Sequence, residues 1–208
     1  MRLFVTGTDT DIGKTVVAAW AMLHFGAHYW KPVQSGLDGE TDEEAVRRLT
    51  GADDHYFLPS AYRLPEPLSP HESARRAGVQ IEMNRFEPAE QDGPLIIEGA
   101  GGLMVPLNDQ ALMIDLIEQL GATVLLVSRS TLGTINHTLL SLQALRAREI
   151  PILGVVMSGP ITPHNRDAIE SYGMVRVLAE IPPLDPLTRE ALLSIQPGFS
   201  LSDRVSRW

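Results

Sequence analysis

The sequence predicts an α/β protein: a parallel sheet with helices on both of its faces. Apolar runs of strand length alternate along the chain with helical patterns, as in right-handed strand–helix–strand units. Several of those runs are Val/Ile/Leu-rich without polar alternation, which marks strands buried on both faces. The first run, residues 3–6 (Leu-Phe-Val-Thr), enters a Gly/Asp-rich loop and then a helical pattern at 14–24. A second run at 29–33 is followed by a helix at 43–49. Runs at 95–98, 123–128, 152–158 and 175–181 are interleaved and followed by helices at 112–120, 135–148, 166–171 and 189–194. Residues 52–94 carry Pro59, Pro65, Pro67, Pro70, Pro88 and Pro94, which interrupt any long helix or central strand. This stretch reads as an excursion from the sheet, over the strand ends where open α/β sheets bind ligands. One domain is expected to span residues 1–208.

Composition narrows the function. The chain has 208 residues, 44% of them hydrophobic and 21% charged, which is enough apolar material for a core and excludes a disordered coil. A formal net charge of −9, with no local basic cluster, argues against nucleic acid as a partner. The absence of cysteine excludes disulfides, thiolate metal sites and a cysteine nucleophile. No apolar window approaches a membrane span, and the N-terminal run lacks the pattern of a signal peptide, so a cytoplasmic protein with no membrane partner is expected. The Asn136-His137-Thr138 sequon is then without consequence.

The segment Gly7-Thr8-Asp9-Thr10-Asp11-Ile12-Gly13-Lys14-Thr15 lies between a strand and a helix. That context turns Gly-Lys-Thr into a phosphate-binding loop and makes the predicted fold P-loop NTPase-like. Backbone N–H groups at the helix start face the anion, Lys14 adds a positive charge, and the Thr15 hydroxyl can reach Mg²⁺. Five residues separate Gly7 from Gly13, one more than in the common form. Lys31 and Ser35, in Lys31-Pro32-Val33-Gln34-Ser35-Gly36, fall where the second strand leaves the sheet, at the same ligand-binding edge. Glu98 ends an apolar strand and precedes Gly99-Ala100-Gly101-Gly102, so its carboxylate can hold Mg²⁺ or its waters while the small residues admit a ligand.

These blocks, together with Ser69-Pro70-His71, Leu132-Gly133-Thr134-Ile135-Asn136-His137 and Glu180-Ile181-Pro182, resemble the dethiobiotin synthetase family over most of the chain. The resemblance implies a cyclo-ligase of biotin synthesis, with ATP and Mg²⁺ as cofactors and 7,8-diaminononanoate and CO₂ as substrates. In that reaction a carbamate forms on one amine, ATP phosphorylates it, and the second amine closes the ureido ring with loss of phosphate. Lys14, Lys31 and Thr10 are then the expected catalytic residues. Thr15, Asp42 and Glu98 are the expected metal ligands. Asp11, Ile12, Gly13, Val16, Gly99, Ala100 and Gly101 join them around the nucleotide, and Ser158, Gly159, Pro182, Pro183 and Leu184 fall on its base side. Ser35, Thr10 and Lys31 would meet the diamine or carbamate, and Asp11 would lie beside the phosphates. The helix start Leu132, Gly133, Thr134, Ile135 and Asn136 would bind the substrate carboxylate across a homodimer interface, helped by its free N–H groups.

Three positions carry alternatives. Thr41 and Glu44 have the spacing of a capping box, so Asp42 could serve only the helix dipole, with Asp38 as the substitute ligand. His71 reads as structural before catalytic. Ser158-Gly159 replaces the Asn-containing pair of many relatives, which predicts weaker discrimination of the base. Two other classes share the fold: a partitioning-type switch ATPase, against which the negative Asp9 stands where those proteins carry a signature lysine, and a small-molecule kinase or amide-forming ligase.

Overall fold

The structure, a computed structural model, describes residues 1–198. Seven parallel strands form the main sheet: β1 (Arg2–Gly7), β2 (His28–Trp30), β4 (Phe57–Leu58), β6 (Leu95–Gly102), β7 (Thr123–Arg129), β8 (Ile152–Ser158) and β9 (Val177–Ile181), in the order β4-β2-β6-β1-β7-β8-β9. Alternate residues of each central strand feed opposite cores. Leu3, Val5, Leu125 and Val127 pack on one face against Val17 and Trp20 of α1 (Lys14–Phe25), Val46 and Leu49 of α2 (Asp42–Thr50), and Leu192 of α7 (Arg189–Ser194). Phe4, Val124 and Leu126 pack on the other face with Met113 and Ile117 of α4 (Met113–Gln119), Leu142 of α5 (Thr134–Ala147) and Ile169 of α6 (Pro163–Gly173). The period-2 alternation thus buries both sheet faces, as continuous apolar strands require.

Two expectations need correction. The run at 29–33 is not one strand: β2 stops at Trp30, and the chain pairs again as β3 (Val33–Ser35) in a separate two-stranded sheet with β5 (Tyr62–Leu64). Pro32 has no N–H to continue the ladder, so the chain steps off the sheet there. Nor do residues 52–94 wholly leave the sheet. Phe57–Leu58 returns as the edge strand β4, beside Tyr29 and Trp30, before Pro59 ends it. The same stretch holds β5 and the short helix α3 (Pro70–Arg76), whose His71 N–H donates to the Pro106 carbonyl at 3.3 Å.

Gly154, in β8, is required by close approach: a Cβ there would lie 2.8 Å from the Arg176 carbonyl oxygen and 2.5 Å from Leu178. Gly154→Ala should therefore destabilise the protein by ~1–3 kcal/mol, read as a lower urea midpoint with unchanged m-value.

Candidate functional site

Every parallel strand ends on the same side, and the loops that follow converge there. The loop after β1 is held from below by Ile12, which is buried, and from the side by the Thr8 N–H donating to the Val127 carbonyl at 3.0 Å. Asp9 caps the loop with a 2.8 Å bond from the Thr10 N–H to its Oδ1. Asp11 and Gly13 take positive φ, 54° and 88°, which turns the chain into α1. An aspartate tolerates that region better than most residues, and glycine pays no Cβ penalty. Lys14 Nζ rests on the Asp9 carbonyl at 2.8 Å. Burial, and then the charge of Lys31, lower the Lys14 pKa from its ordinary value.

Behind the loop lies a buried ionic cluster. Lys31 Nζ sits 2.7 Å from Asp42 Oδ2, 3.0 Å from Glu98 Oε1 and 3.2 Å from the Gly99 carbonyl oxygen. Burial disfavours its charge, but the two carboxylates outweigh that and raise its pKa. Burial pushes Asp42 up, but the charge and hydrogen bond of Lys31, the Thr15 hydroxyl and the charge of Lys14 together hold its carboxyl below the ordinary value, so it remains ionised. Tyr29 donates from its hydroxyl to Glu98 Oε2 at 2.9 Å; burial and the Glu98 charge keep that phenol protonated. Lys31, the residue after β2, follows Trp30, which pairs with Ile97, and so stands at the level of Glu98.

Thr15 Oγ1 lies 2.7 Å from Asp42 Oδ1 and 3.0 Å from Glu98 Oε1. A hydroxyl has one proton and cannot donate to both carboxylates at once. Three oxygens that converge around one proton, with two of them anionic, form a hard-oxygen donor set of the kind Mg²⁺ takes when phosphates and waters supply its other ligands. The donor set therefore fits Mg²⁺. The capping box and the ligand position at α2 are both present: Thr41 Oγ1 accepts from the Glu44 N–H at 3.4 Å, Glu44 Oε2 accepts from the Thr41 N–H at 2.8 Å, and Asp42 turns toward Thr15. Asp38 lines the cleft but makes no contact with Thr15 or Lys31 among the described bonds.

The cleft above this cluster has a volume of about 830 Å³. It is lined by Thr10 through Val16, by Lys31 and Ser35, by Pro67 through Pro70, and by Asp42, Glu98, Ala100 and Gly101. Ser35 Oγ is buried there without a hydrogen-bond partner. A second cavity of about 430 Å³ opens on the other side of the loop, between Thr10, Asp11, Ile12 and Gly13, Ser158 and Gly159, and Arg129 and Thr131. A Cβ on Gly13 would come within 2.5 Å of Ser158 Oγ, so the strand-end serine lies directly against the loop. Pro182, Pro183 and Leu184 follow β9 and line neither cavity. Leu132, Gly133, Ile135 and Asn136 also stand outside both, and the Thr134 hydroxyl is buried against the Arg129 carbonyl. Sequence reasoning passed over Tyr29 and Arg129. Tyr29 carried no polar signal inside an apolar strand, whereas Arg129, as the terminal residue of a strand beside β1, could have been placed at the ligand edge.

A parallel sheet whose first strand feeds a Gly-Lys-Thr loop backed by two carboxylates defines a P-loop nucleotide-binding protein. A family model described as an AAA domain matches residues 1–191. The ATP-dependent dethiobiotin synthetase BioD of Paramagnetospirillum magneticum is 54% identical over 195 residues, 94% of each chain. That of Agrobacterium fabrum is 51% identical over 204 residues, 98% of this chain and 96% of its own. A ParA family ATPase from Chlorobium tepidum shares the fold, with a TM-score of 0.57, 16% identity and coverage of 93% of this chain and 88% of its own. The chain belongs to the dethiobiotin synthetase family, and its resemblance to ParA is one of architecture. Among the described residues, no helix is long and apolar enough to cross a membrane.

Removal of the Lys31 charge leaves Asp42 and Glu98 facing each other. Lys31→Met should destabilise the free protein by ~2–3 kcal/mol, less than for a fully buried pair because Asp42 is about one-third exposed. Mg²⁺ should then raise the variant's melting temperature more than the parent's, as read by calorimetry with and without the ion.

Proposed function

We propose that the protein is an ATP- and Mg²⁺-dependent cyclo-ligase that converts 7,8-diaminononanoate and CO₂ to dethiobiotin, with release of ADP and phosphate. The observation that carries this reading is the buried Lys31 beside the phosphate loop: a second cation next to Lys14, in a cleft with room for a small substrate, is more than nucleotide binding alone requires. Family membership supports the same reaction.

One substrate amine adds to CO₂ to give a carbamate, losing a proton. A carbamate oxygen attacks the γ-phosphorus of ATP, and ADP leaves. The second amine attacks the carbonyl of the resulting carbamoyl phosphate, expels phosphate and closes the ring. Carbamates revert readily, so the protein's task is to hold one in line with the phosphoryl group. Lys31 and Lys14 offset the negative charge that develops on the carbamate and phosphoryl oxygens. Lys14 must leave the Asp9 carbonyl to do so. Thr15, Asp42 and Glu98 would hold Mg²⁺, which neutralises phosphate charge when bound. The N–H groups from Asp11 to Val16 are assigned to the phosphates, with Gly99, Ala100 and Gly101 giving close backbone approach, and Thr10, which lines the same cleft, to the diamine or carbamate. Ser35, whose hydroxyl faces the cleft unpaired, is assigned to the diamine or carbamate. The base is assigned to the side of Ser158 and Gly159, with Pro182, Pro183 and Leu184 beyond them.

The helix start Leu132 to Asn136 is assigned to the substrate carboxylate of a neighbouring subunit in a homodimer. Its placement outside the cleft of its own chain supports an action in trans, and Leu132, Leu140, Tyr172 and Met174 are exposed apolar residues on or beside α5 and α6. The whole chain 1–208 is assigned to one domain.

The decisive experiment supplies 7,8-diaminononanoate, ¹⁴C-bicarbonate, ATP and Mg²⁺ and measures acid-stable label, because a ureido ring survives acid and a carbamate does not. Label is expected with the parent and lost in Lys31→Ala; label absent from the parent, despite ATP binding, would overturn the assignment in favour of a switch or kinase. Thr15→Val should cut the rate by ~10²-fold or more at fixed Mg²⁺ and raise the Mg²⁺ concentration needed for half-activity. With Ser158 in place of an amide, rates with CTP or GTP should approach that with ATP, and a strict ATP requirement would refute this.

A further inference from the structure

We propose that Arg129 is a phosphate-binding residue of the nucleotide site, held in the free protein by Asp9 and transferred to the nucleotide's phosphates when these enter. The inference rests on the nucleotide reading above. Arg129 closes β7, next to β1, and its guanidinium reaches back across the phosphate loop to pair with Asp9 Oδ2. It lines the 430 Å³ cavity together with Thr10, Gly13 and Ser158. Its Nε is buried and has no hydrogen-bond partner. The guanidinium is thus only partly satisfied by Asp9, with a donor to spare beside a loop built for anions.

Asp9 is the ligand's stand-in for both cations of the loop. Its carboxylate takes Arg129, and its carbonyl oxygen takes Lys14 Nζ at 2.8 Å. Arg129 and Asp9 are each partly exposed, with side-chain exposures of 37% and 48%, so the pair between them is weak and exchangeable. A polyphosphate carries more charge than one carboxylate and offers the planar oxygen pairs that a guanidinium binds with two donors. It therefore competes with Asp9 for the same side chain. The second carboxylate oxygen of Asp9 stays on the Thr10 N–H, so the loop keeps its shape while Arg129 moves.

This exchange predicts opposite signs for the two partners. In calorimetric titrations with Mg²⁺-ADP, Arg129→Ala and Arg129→Gln should raise the Kd by roughly 10- to 100-fold, and Arg129→Lys should recover part of the loss. The KM for ATP should rise with it, while the KM for 7,8-diaminononanoate stays near the parent's. Asp9→Asn keeps an oxygen for the Thr10 N–H but releases Arg129, so it should lower the Kd for ADP, and by less in an Arg129→Ala background. Melting temperatures should remain close to the parent's, because an exposed ion pair adds little stability. ADP binding unchanged in both Arg129→Ala and Arg129→Gln would overturn the proposal, as would Asp9→Asn weakening ADP as much as Arg129→Ala does, the signature of a pair that only braces the loop. A parent that fails to bind ADP would instead sink the nucleotide reading itself.

Discussion

The site depends on one buried ammonium. Lys31 is almost wholly enclosed and lies within 3.0 Å of two carboxylates from different elements, Asp42 at the start of α2 and Glu98 in β6. Two carboxylates so placed repel each other, and desolvation makes the repulsion worse. The lysine between them allows both to stay ionised at the place where Thr15 brings a third oxygen. The cluster thereby joins four elements of the fold: α1 after the phosphate loop, the end of strand β2, the start of α2 and the central strand β6. Tyr29, two residues before Lys31, completes it by satisfying the remaining oxygen of Glu98.

The strand β2 ends one residue before that lysine. The register pairs Trp30 with Ile97, so Lys31 follows at the level of Glu98, on the face from which Tyr29 also reaches that carboxylate. Pro32 stops the ladder after Trp30, and the chain turns to make β3 in a second small sheet. The turn leaves Lys31 inside and Ser35 on the cleft wall. The stretch after α2 then repairs the sheet edge with β4 and pairs β5 against β3, so the irregular region provides the partners that the interrupted strand lost.

Much of this was legible in the residues. The alternation of apolar runs with helical patterns fixed the layers, because a strand such as Val124-Leu125-Leu126-Val127 can only be buried on both sides. The Gly-Lys-Thr loop placed the nucleotide edge, and Thr15, Lys31, Asp42 and Glu98 do meet in space. For Asp42 the sequence left two readings, helix capping or ligand. The structure shows that they do not compete, since Thr41 and Glu44 complete the cap by themselves and leave Asp42 free to face Thr15. The two-residue strand β4 was not legible, because Phe57-Leu58 between a turn and Pro59 has no period to read. Tyr29 was hidden for a different reason: in a buried strand an aromatic residue signals packing, and its hydroxyl gains meaning only once Glu98 is known to lie opposite.

Asp9 shows how the same architecture can separate two functions. The ParA family ATPase shares the fold at 16% identity, and a shared fold leaves the function to the residues of the site. Here the residue early in the loop is an acid, and both nearby cations rest on it, Lys14 through the carbonyl and Arg129 through the carboxylate. An acid at that position cannot itself stabilise phosphate charge. It can hold the cations in reserve and yield them to a more highly charged ligand. The buried Lys31, by contrast, is fixed by two carboxylates and is not released so easily. The two kinds of cation thus differ in how firmly they are held: Arg129 is partly exposed and paired with one carboxylate, whereas Lys31 is buried between two.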